Sequence, residues 1–215
     1  LCCGCAAKLP EQPLMAALSR LQGGRLPLAE DAASFATPGQ LDSWWQSVDG
    51  FPALVADPWL NGRLTALHAC SDLWACGVPV AHAQALVTIP QAASNQQEDL
   101  LLQTLAGVRS VLQPQGAALI GGHTLQSREP PDLDRPLSLQ LSLALVINGR
   151  QHESQTTWGK GPLLAGDALL LTRGIGSGVL FAAAMAGAAA PGWIEAALTQ
   201  MQRSQAPLLP VLRQH

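Results

Sequence analysis

The residues with the clearest chemical potential are three aspartates, Asp31, Asp49 and Asp72, in the first half of the 215-residue chain. Carboxylate oxygens, together with phosphate oxygens, are the ligands that Mg²⁺ prefers. If folding brings the three side chains together, they could hold Mg²⁺ on a nucleotide. The alternative is that Asp31 caps a turn, Asp49 ends a strand and Asp72 is a solvated helix residue. Asp72 favours the first interpretation, because its segment is largely apolar and a carboxylate there needs a partner or a metal.

The N-terminal segment offers a second candidate site, Cys5-Ala6-Ala7-Lys8, preceded by Cys2 and Cys3. A lysine three residues from a cysteine can lower the thiol pKa and stabilise a thiolate. The same lysine can contact a phosphate. The alternatives are that these cysteines are small residues in a flexible terminus, or that they bind a metal or undergo redox chemistry. Five cysteines with this spacing make a poor disulfide framework and indicate a reducing, cytoplasmic compartment.

Two glycine-rich segments follow short apolar runs. Gly121-Gly122-His123-Thr124 comes after residues 117–120, where glycines would let the backbone approach a phosphate and the threonine would add a hydroxyl. A simple tight turn is the alternative. Residues 173–178 (RGIGSG) precede a predicted helix whose N-terminus could bind an anion. Neither a dinucleotide fingerprint nor a Walker loop (GxxxxGK) is present.

Hydrophobic periodicity predicts the elements that must position these residues. Helices are predicted at 13–22, 59–76, 95–112, 179–190 and 194–205, and strands at 44–49, 80–89, 117–120, 137–147 and 167–172. The fold class is α+β (mixed α/β), with a mixed or antiparallel sheet flanked by helices. The polar, glycine-containing stretch 151–166 predicts a linker between domains at 1–155 and 156–215.

Composition excludes several function classes. Hydrophobic residues make up 48% of the chain and charged residues 13%, which is unlike a disordered chain. The net charge of −3 argues against a nucleic-acid partner. No run of about 18 apolar residues predicts a membrane span, and no signal peptide is evident. His68, His82 and His152 are interpreted as structural or surface residues.

Taken in order, these segments resemble the selenophosphate synthetase (selenide, water dikinase) family. Gly4-Cys5-Ala6-Ala7-Lys8 resembles its glycine-rich Cys–Lys motif, and Glu30-Asp31-Ala32-Ala33 resembles its DDAA segment. Further resemblances cover Asp49 with Pro52 and 56–63, the helix segment 69–77, Gly121-Gly122-His123-Thr124, Gly166-Asp167 and the loop 171–178.

The resemblance implies a fold, an activity and a set of site residues. Cys5 would be the catalytic thiol or selenium carrier, and Lys8 would be catalytic and contact ATP. Asp31 and Asp72 would bind Mg²⁺. The implied ATP-binding residues are Lys8, Ala29, Glu30, Asp31, Asp49, Gly121, Gly122, His123 and Thr124. ATP, selenide and water would give selenophosphate, AMP and phosphate. The fold would be aminoimidazole-ribonucleotide-synthetase-like, with N-terminal strands forming a dimer barrel in a homodimer and the start of a C-terminal α/β domain.

The chain departs from the family pattern at several points. It ends before the family's further metal-binding Asp in a DxTGFG-like stretch, so we expect a C-terminally truncated sequence, and its start at Leu1 suggests that residues precede it. Glu30 replaces the first Asp of DDAA, and Arg173-Gly174 replaces a Lys-Pro. The alternatives are a sister enzyme such as thiamine-phosphate kinase or a hydrogenase-maturation dehydratase, and a non-catalytic ATP-binding or dimerisation module. The Cys5–Lys8 spacing favours selenophosphate synthesis.

Overall fold

The computed structural model describes residues 11–22, 31–36 and 42–214. The strands in these ranges are β1 (Ala33–Ala36), β2 (Asp42–Pro52), β3 (Val80–Ile89), β4 (Ala118–Gln126) and β5 (Ser142–His152). The helices are α1 (Glu11–Gln22), α2 (Pro58–Ala75), α3 (Ser94–Leu112), α4 (Ser177–Met185), α5 (Pro191–Met201) and α6 (Leu208–Leu212). Short 3₁₀ turns occupy Gln113–Gln115 and Leu137–Gln140. The predicted α+β class is confirmed.

The described residues divide into two compact units. One contains residues 11–22 and 160–200, with helices α1, α4 and most of α5. The other contains residues 31–159 and 201–214, with the whole sheet, α2, α3 and α6. The predicted domains 1–155 and 156–215 stay a prediction. Among the described residues, no helix is long and apolar enough to cross a membrane.

The sheet has five strands in the order β1-β2-β5-β3-β4. Neighbouring strands are antiparallel except β3 and β4, which are parallel, so the sheet is mixed as predicted. Burial alternates along the central strands, with Leu143, Leu145 and Ile147 of β5 buried and the residues between them only partly so. Because successive strand side chains point to opposite faces, one face of the sheet carries the core.

Helix α2 begins and ends where its sequence provides the signals. The Asp57 side chain accepts a hydrogen bond from the Leu60 N–H at 2.9 Å, and Pro58 occupies the first turn, where its missing N–H costs nothing. Apolar residues that recur every three or four positions predict this helix, and of these Leu64, Leu67, Cys70 and Leu73 are buried, whereas Leu60 is half-buried. Gly77 follows the helix at a positive φ of 74°, as the C-terminal reversal requires.

Two glycines allow α2 and α3 to pack closely. A Cβ on Gly62 would lie 2.0 Å from the Thr104 carbonyl oxygen, and one on Gly107 would lie 2.0 Å from the Trp59 carbonyl oxygen. Arg63 adds a polar tie, because its Nη1 donates to Ser110 Oγ at 2.9 Å. The two helices therefore form one rigid layer over the core face of the sheet.

Several predicted elements differ from the structure, and four of the differences concern the site or the sheet. Strand β2 runs from Asp42 to Pro52, so Asp49 lies within the strand rather than at its end. Residues 137–140 form a 3₁₀ turn before β5. Residues 121–124 continue β4 instead of forming a turn, and 167–172 form no strand. In the first and third cases a neighbouring strand supplies hydrogen bonds that local sequence cannot reveal.

We predict that Gly107→Ala destabilises the protein. The added methyl group would overlap the Trp59 carbonyl, so the helices must separate, and overpacking of this kind lowers the free energy of unfolding by about 2 kcal/mol. Gly192→Ala in α5 is the control, because nothing lies within 4 Å of its added Cβ. Urea titrations followed by circular dichroism measure both. Equal unfolding midpoints for the two variants would contradict the close helix contact.

Candidate functional site

The candidate site lies where β2 faces α2. The two-residue period of a strand puts Ser47 and Asp49 on the same side of β2, and the four-residue spacing of a helix puts His68 and Asp72 on one side of α2. The sequence therefore presents two polar side chains from each element. The structure shows that they meet across the boundary.

The four side chains pair crosswise. Ser47 Oγ donates a hydrogen bond to Asp72 Oδ2 at 2.6 Å. His68 Nε2 lies 2.9 Å from Asp49 Oδ2. Each carboxylate is thus held by a partner from the other element. Both pairs would break if α2 moved relative to β2, so the geometry of the site depends on the packing of this helix on the sheet.

The charged form of Asp72 is electrostatically unfavourable in the folded protein. Desolvation by burial raises its pKa above the usual value, and the negative charges of Asp49 and Asp31 raise the pKa further. The Ser47 hydrogen bond and His68 lower the pKa and offset part of this effect. A cation bound beside Asp72 would relieve the repulsion.

Asp31 belongs to the same electrostatic group. It lies just before β1, where Ala33 pairs antiparallel with Gln46 of β2. That pairing directs the residues before Ala33 alongside the part of β2 that contains Ser47 and Asp49. The structure therefore brings the three predicted carboxylates, Asp31, Asp49 and Asp72, into one region.

The donor chemistry of this region fits Mg²⁺. Hard carboxylate oxygens with mutually repelling charges are suitable ligands, and Mg²⁺ usually keeps waters and phosphate oxygens in its coordination shell. Among the described residues, no three His, Cys, Asp or Glu side chains close around a common metal position. The arrangement suits a metal that arrives with a nucleotide better than a cage built by protein alone.

Cys70 lies on α2 two residues before Asp72 but differs in chemistry. Burial raises the pKa of its thiol to about 12, and the Asp72 charge contributes, while a hydrogen bond with Gln115 acts in the opposite direction. Its side chain is fully enclosed in the core. Cys70 is therefore a packing residue and not a reactive thiol.

The predicted glycine segment lies on the opposite edge of the sheet. Residues Gly121 to Thr124 belong to β4, which two strands separate from β2. Three strand spacings correspond to about 14 Å. Gly122 is required where it stands, because an added Cβ would lie 1.9 Å from the Ala85 carbonyl oxygen. That these residues and the carboxylates bind the same nucleotide stays a prediction.

The remaining predicted site residues, Cys5, Lys8, Ala29 and Glu30, lie outside the described residues. Sequence reasoning missed two residues of the site, Ser47 and His68. His68, which the sequence predicts to be a structural or surface residue, pairs with Asp49. The signal was available in the spacing, since His68 and Asp72 are four residues apart on one helix and Ser47 and Asp49 are two apart on one strand.

Comparison with known families identifies the family to which this chain belongs. Residues 29–140, just over half of the chain, match the family model described as AIR synthase related protein, N-terminal domain. The chain therefore belongs to the AIR synthase-related family.

Two curated relatives of the chain are selenide, water dikinases. The chain is 34% identical over 206 residues to a selenide, water dikinase of Desulfitobacterium hafniense (strain Y51), covering 93% of this chain and 56% of the relative. It is 30% identical over 208 residues to a selenide, water dikinase of Myxococcus xanthus (strain DK1622), covering 93% of this chain and 54% of that protein. The chain spans about half the length of the curated relatives it matches.

Solved structures support the fold. AaThiL, complexed with AMPPCP and TMP, superposes with a TM-score of 0.68 at 13% identity, covering 95% of this chain and 63% of that chain. Thiamine-monophosphate kinase from Stenotrophomonas maltophilia K279a gives 0.55 at 21% identity, covering 96% and 65%. At these identities the similarity concerns the fold alone.

We predict that Asp72→Asn leaves the protein as stable or more stable at pH 7 without divalent cations. Because the folded-state pKa of Asp72 is raised, the charged form costs stability, and this cost appears as the pH rises through that pKa. Removing the charge should raise the thermal midpoint by about 1–3 °C. The difference should shrink as the pH falls and wild-type Asp72 takes up its proton.

Asp42→Asn provides the matched control on β2. Arg150 Nε lies 3.0 Å from Asp42 Oδ2, so this carboxylate already has a cationic partner. Its loss should destabilise the fold by less than about 1 kcal/mol. Differential scanning fluorimetry in EDTA-containing buffers from pH 4 to pH 8 compares the variants. A lower thermal midpoint for Asp72→Asn than for wild type at pH 7 would contradict the prediction, because it would show that neighbouring groups already compensate the charge of Asp72.

Proposed function

We propose that this chain is part of an enzyme that makes selenophosphate from selenide, ATP and water, with release of AMP and phosphate. The observation that carries the proposal is the crossed pairing that holds Asp49 and Asp72 side by side, with Asp31 nearby. Identity of 34% to a selenide, water dikinase over 93% of the chain supports the choice of reaction.

The carboxylates are assigned to the nucleotide and its metal. Asp31 and Asp72 would hold Mg²⁺, and Asp49 would contact ATP. Bound Mg²⁺ supplies positive charge that offsets the phosphate groups. The residues of the chain then orient the nucleotide, and the enclosure of α2 against the sheet limits water around Asp72.

Residues that the resemblance assigns complete the proposal. Lys8 would contact the ATP phosphates, and Cys5 would act as the catalytic thiol or selenium carrier. Ala29 and Glu30 would contribute to ATP binding, as would Gly121, Gly122, His123 and Thr124. Residues 1–155 would form the ATP-binding and dimerisation domain, and 156–215 the first part of a C-terminal domain.

A homodimer is part of this proposal, and the exposed second face of the sheet supports it. Val48, Leu86 and Leu125 are 65%, 45% and 43% exposed, although they lie on three strands of the sheet. The strand register puts them on the face opposite α2 and α3. A second copy covering this face would bury them. In such a dimer, residues 121–124 of one chain could lie near the carboxylates of the other.

The compartment follows from cysteine usage. Within the described residues, Cys70 is buried in the core and forms no disulfide. A buried thiol outside any disulfide suits a reducing compartment, so a cytoplasmic location is part of this proposal.

Phosphorus NMR tests the reaction. The chain is incubated anaerobically with ATP, Mg²⁺ and selenide, and we expect a selenophosphate resonance together with AMP. Asp72→Asn and Asp49→Asn should reduce turnover at least about 100-fold, since each removes a charge that faces the nucleotide. Asp42→Asn is the control and should retain activity, because its carboxylate pairs with Arg150 away from these residues.

The same samples separate the alternatives. Thiamine phosphate replaces selenide in a parallel reaction, where ADP and thiamine diphosphate would identify a sister kinase. Calorimetry with Mg²⁺ and the non-hydrolysable analogue AMPPCP measures binding without turnover. Binding without any product would favour a non-catalytic ATP-binding module. Absence of both binding and product would overturn the proposal.

The dimer is tested with one charged substitution on the sheet and one on a helix. Leu86→Lys places a charge in the centre of the open face and should shift the protein to monomer. Leu102→Lys on α3 is the control, because Leu102 is 65% exposed and lies away from the sheet. Light scattering after size exclusion should give twice the 22.5 kDa chain mass for wild type and control. A monomeric wild type, or equal dissociation of both variants, would contradict this interface.

A further inference from the structure

We propose that His68 is a positioning residue that fixes the Asp49 carboxylate in the orientation in which it meets the nucleotide. This inference rests on the proposed function, because it assumes that Asp49 contacts ATP. It assigns a role to a side chain outside the predicted site residues.

The Asp49 carboxylate is held at both oxygens. Asp49 Oδ1 accepts a hydrogen bond from the Gly50 N–H at 2.9 Å, and Oδ2 lies 2.9 Å from His68 Nε2. A carboxylate oxygen only accepts, so His68 Nε2 carries the proton in this pair. Two contacts on different oxygens fix the rotation of the carboxylate plane, and each oxygen keeps acceptor capacity for a ligand.

His68 is itself held in place. Its backbone lies in the middle of α2, and its ring contacts Phe51 edge-on, with centroids 5.4 Å apart and planes at 76°. Phe51 is buried on the same side of β2 as Asp49. The ring is thus positioned by the helix on one side and by the strand on the other, which makes it a rigid donor.

The solvent exposure of the Asp49–His68 pair agrees with a role beside a ligand. The Asp49 side chain is 12% exposed, whereas that of His68 is 38% exposed. The pair is therefore open to solvent at the histidine, where a ligand can approach. His68 also favours the charged form of Asp72 one turn along α2, so it supports both carboxylates.

A double-mutant cycle tests the assignment. The variants are His68→Leu, His68→Gln, Asp49→Asn and the double variant with Leu at position 68 and Asn at 49. Calorimetry measures the dissociation constant for AMPPCP with Mg²⁺.

His68→Leu should weaken binding of AMPPCP about 5- to 10-fold, as loss of one hydrogen bond to a charged group predicts. His68→Gln keeps an N–H donor of similar reach and should stay within about twofold of wild type. In the Asp49→Asn background, His68→Leu should have no further effect.

An unchanged affinity of His68→Leu for AMPPCP would overturn the inference. An equal loss of affinity when the substitution is made in the Asp49→Asn background would also overturn it.

Thermal midpoints identify a variant that does not fold, and a second measurement keeps the inference testable in that case. Long-range proton–nitrogen NMR spectra of the imidazole groups, without nucleotide, should show His68 protonated at Nε2, with a resonance that shifts in Asp49→Asn. An unshifted resonance would overturn the pairing even if nucleotide binds. Absence of AMPPCP binding in wild type with the pairing intact would instead remove the proposed function, and the positioning role with it.

Discussion

The packing of α2 against β2 is the constraint on which the rest of the site depends. A strand repeats every two residues and a helix returns to the same side every four, so each element presents two polar groups to the other. Ser47 and His68 each hold a carboxylate across the boundary. Asp72 is held by a side chain of the strand, and Asp49 is held by a side chain of the helix as well as by the Gly50 N–H of its own strand, so both orientations depend on the packing of the two elements.

Packing α2 against β2 places a charged Asp72 in an unfavourable environment, and the helix layer stabilises the fold in compensation. Desolvation and neighbouring carboxylates raise the pKa of Asp72, so its charged form opposes folding. The helix layer compensates with a buried apolar stripe and with close contacts at Gly62 and Gly107. Sites that bind charged ligands often keep such locally unfavourable groups, and the surrounding fold supplies the stability.

The two faces of the sheet have different roles. One face is covered by α2 and α3 and contains the core together with the carboxylates. The other exposes apolar side chains of several strands. Strand order puts the glycines of β4 at the edge far from Asp31. The dimer proposed above would cover the open face, and in this way the face is linked to the proposed chemistry.

The sequence determined the fold class, the long helices and the residue types of the site. The helix predicted at 59–76 could be identified from the sequence, because its apolar periodicity and the Pro58 and Gly77 that flank it act locally. The sequence also identified Asp31, Asp49 and Asp72 as candidates. Tertiary structure decided that Asp49 lies inside a strand, that residues 121–124 extend an edge strand and that His68 pairs with Asp49. These features depend on hydrogen bonds between segments far apart in the chain, such as β2 with β5, and local pattern carries no information about which strand becomes the neighbour.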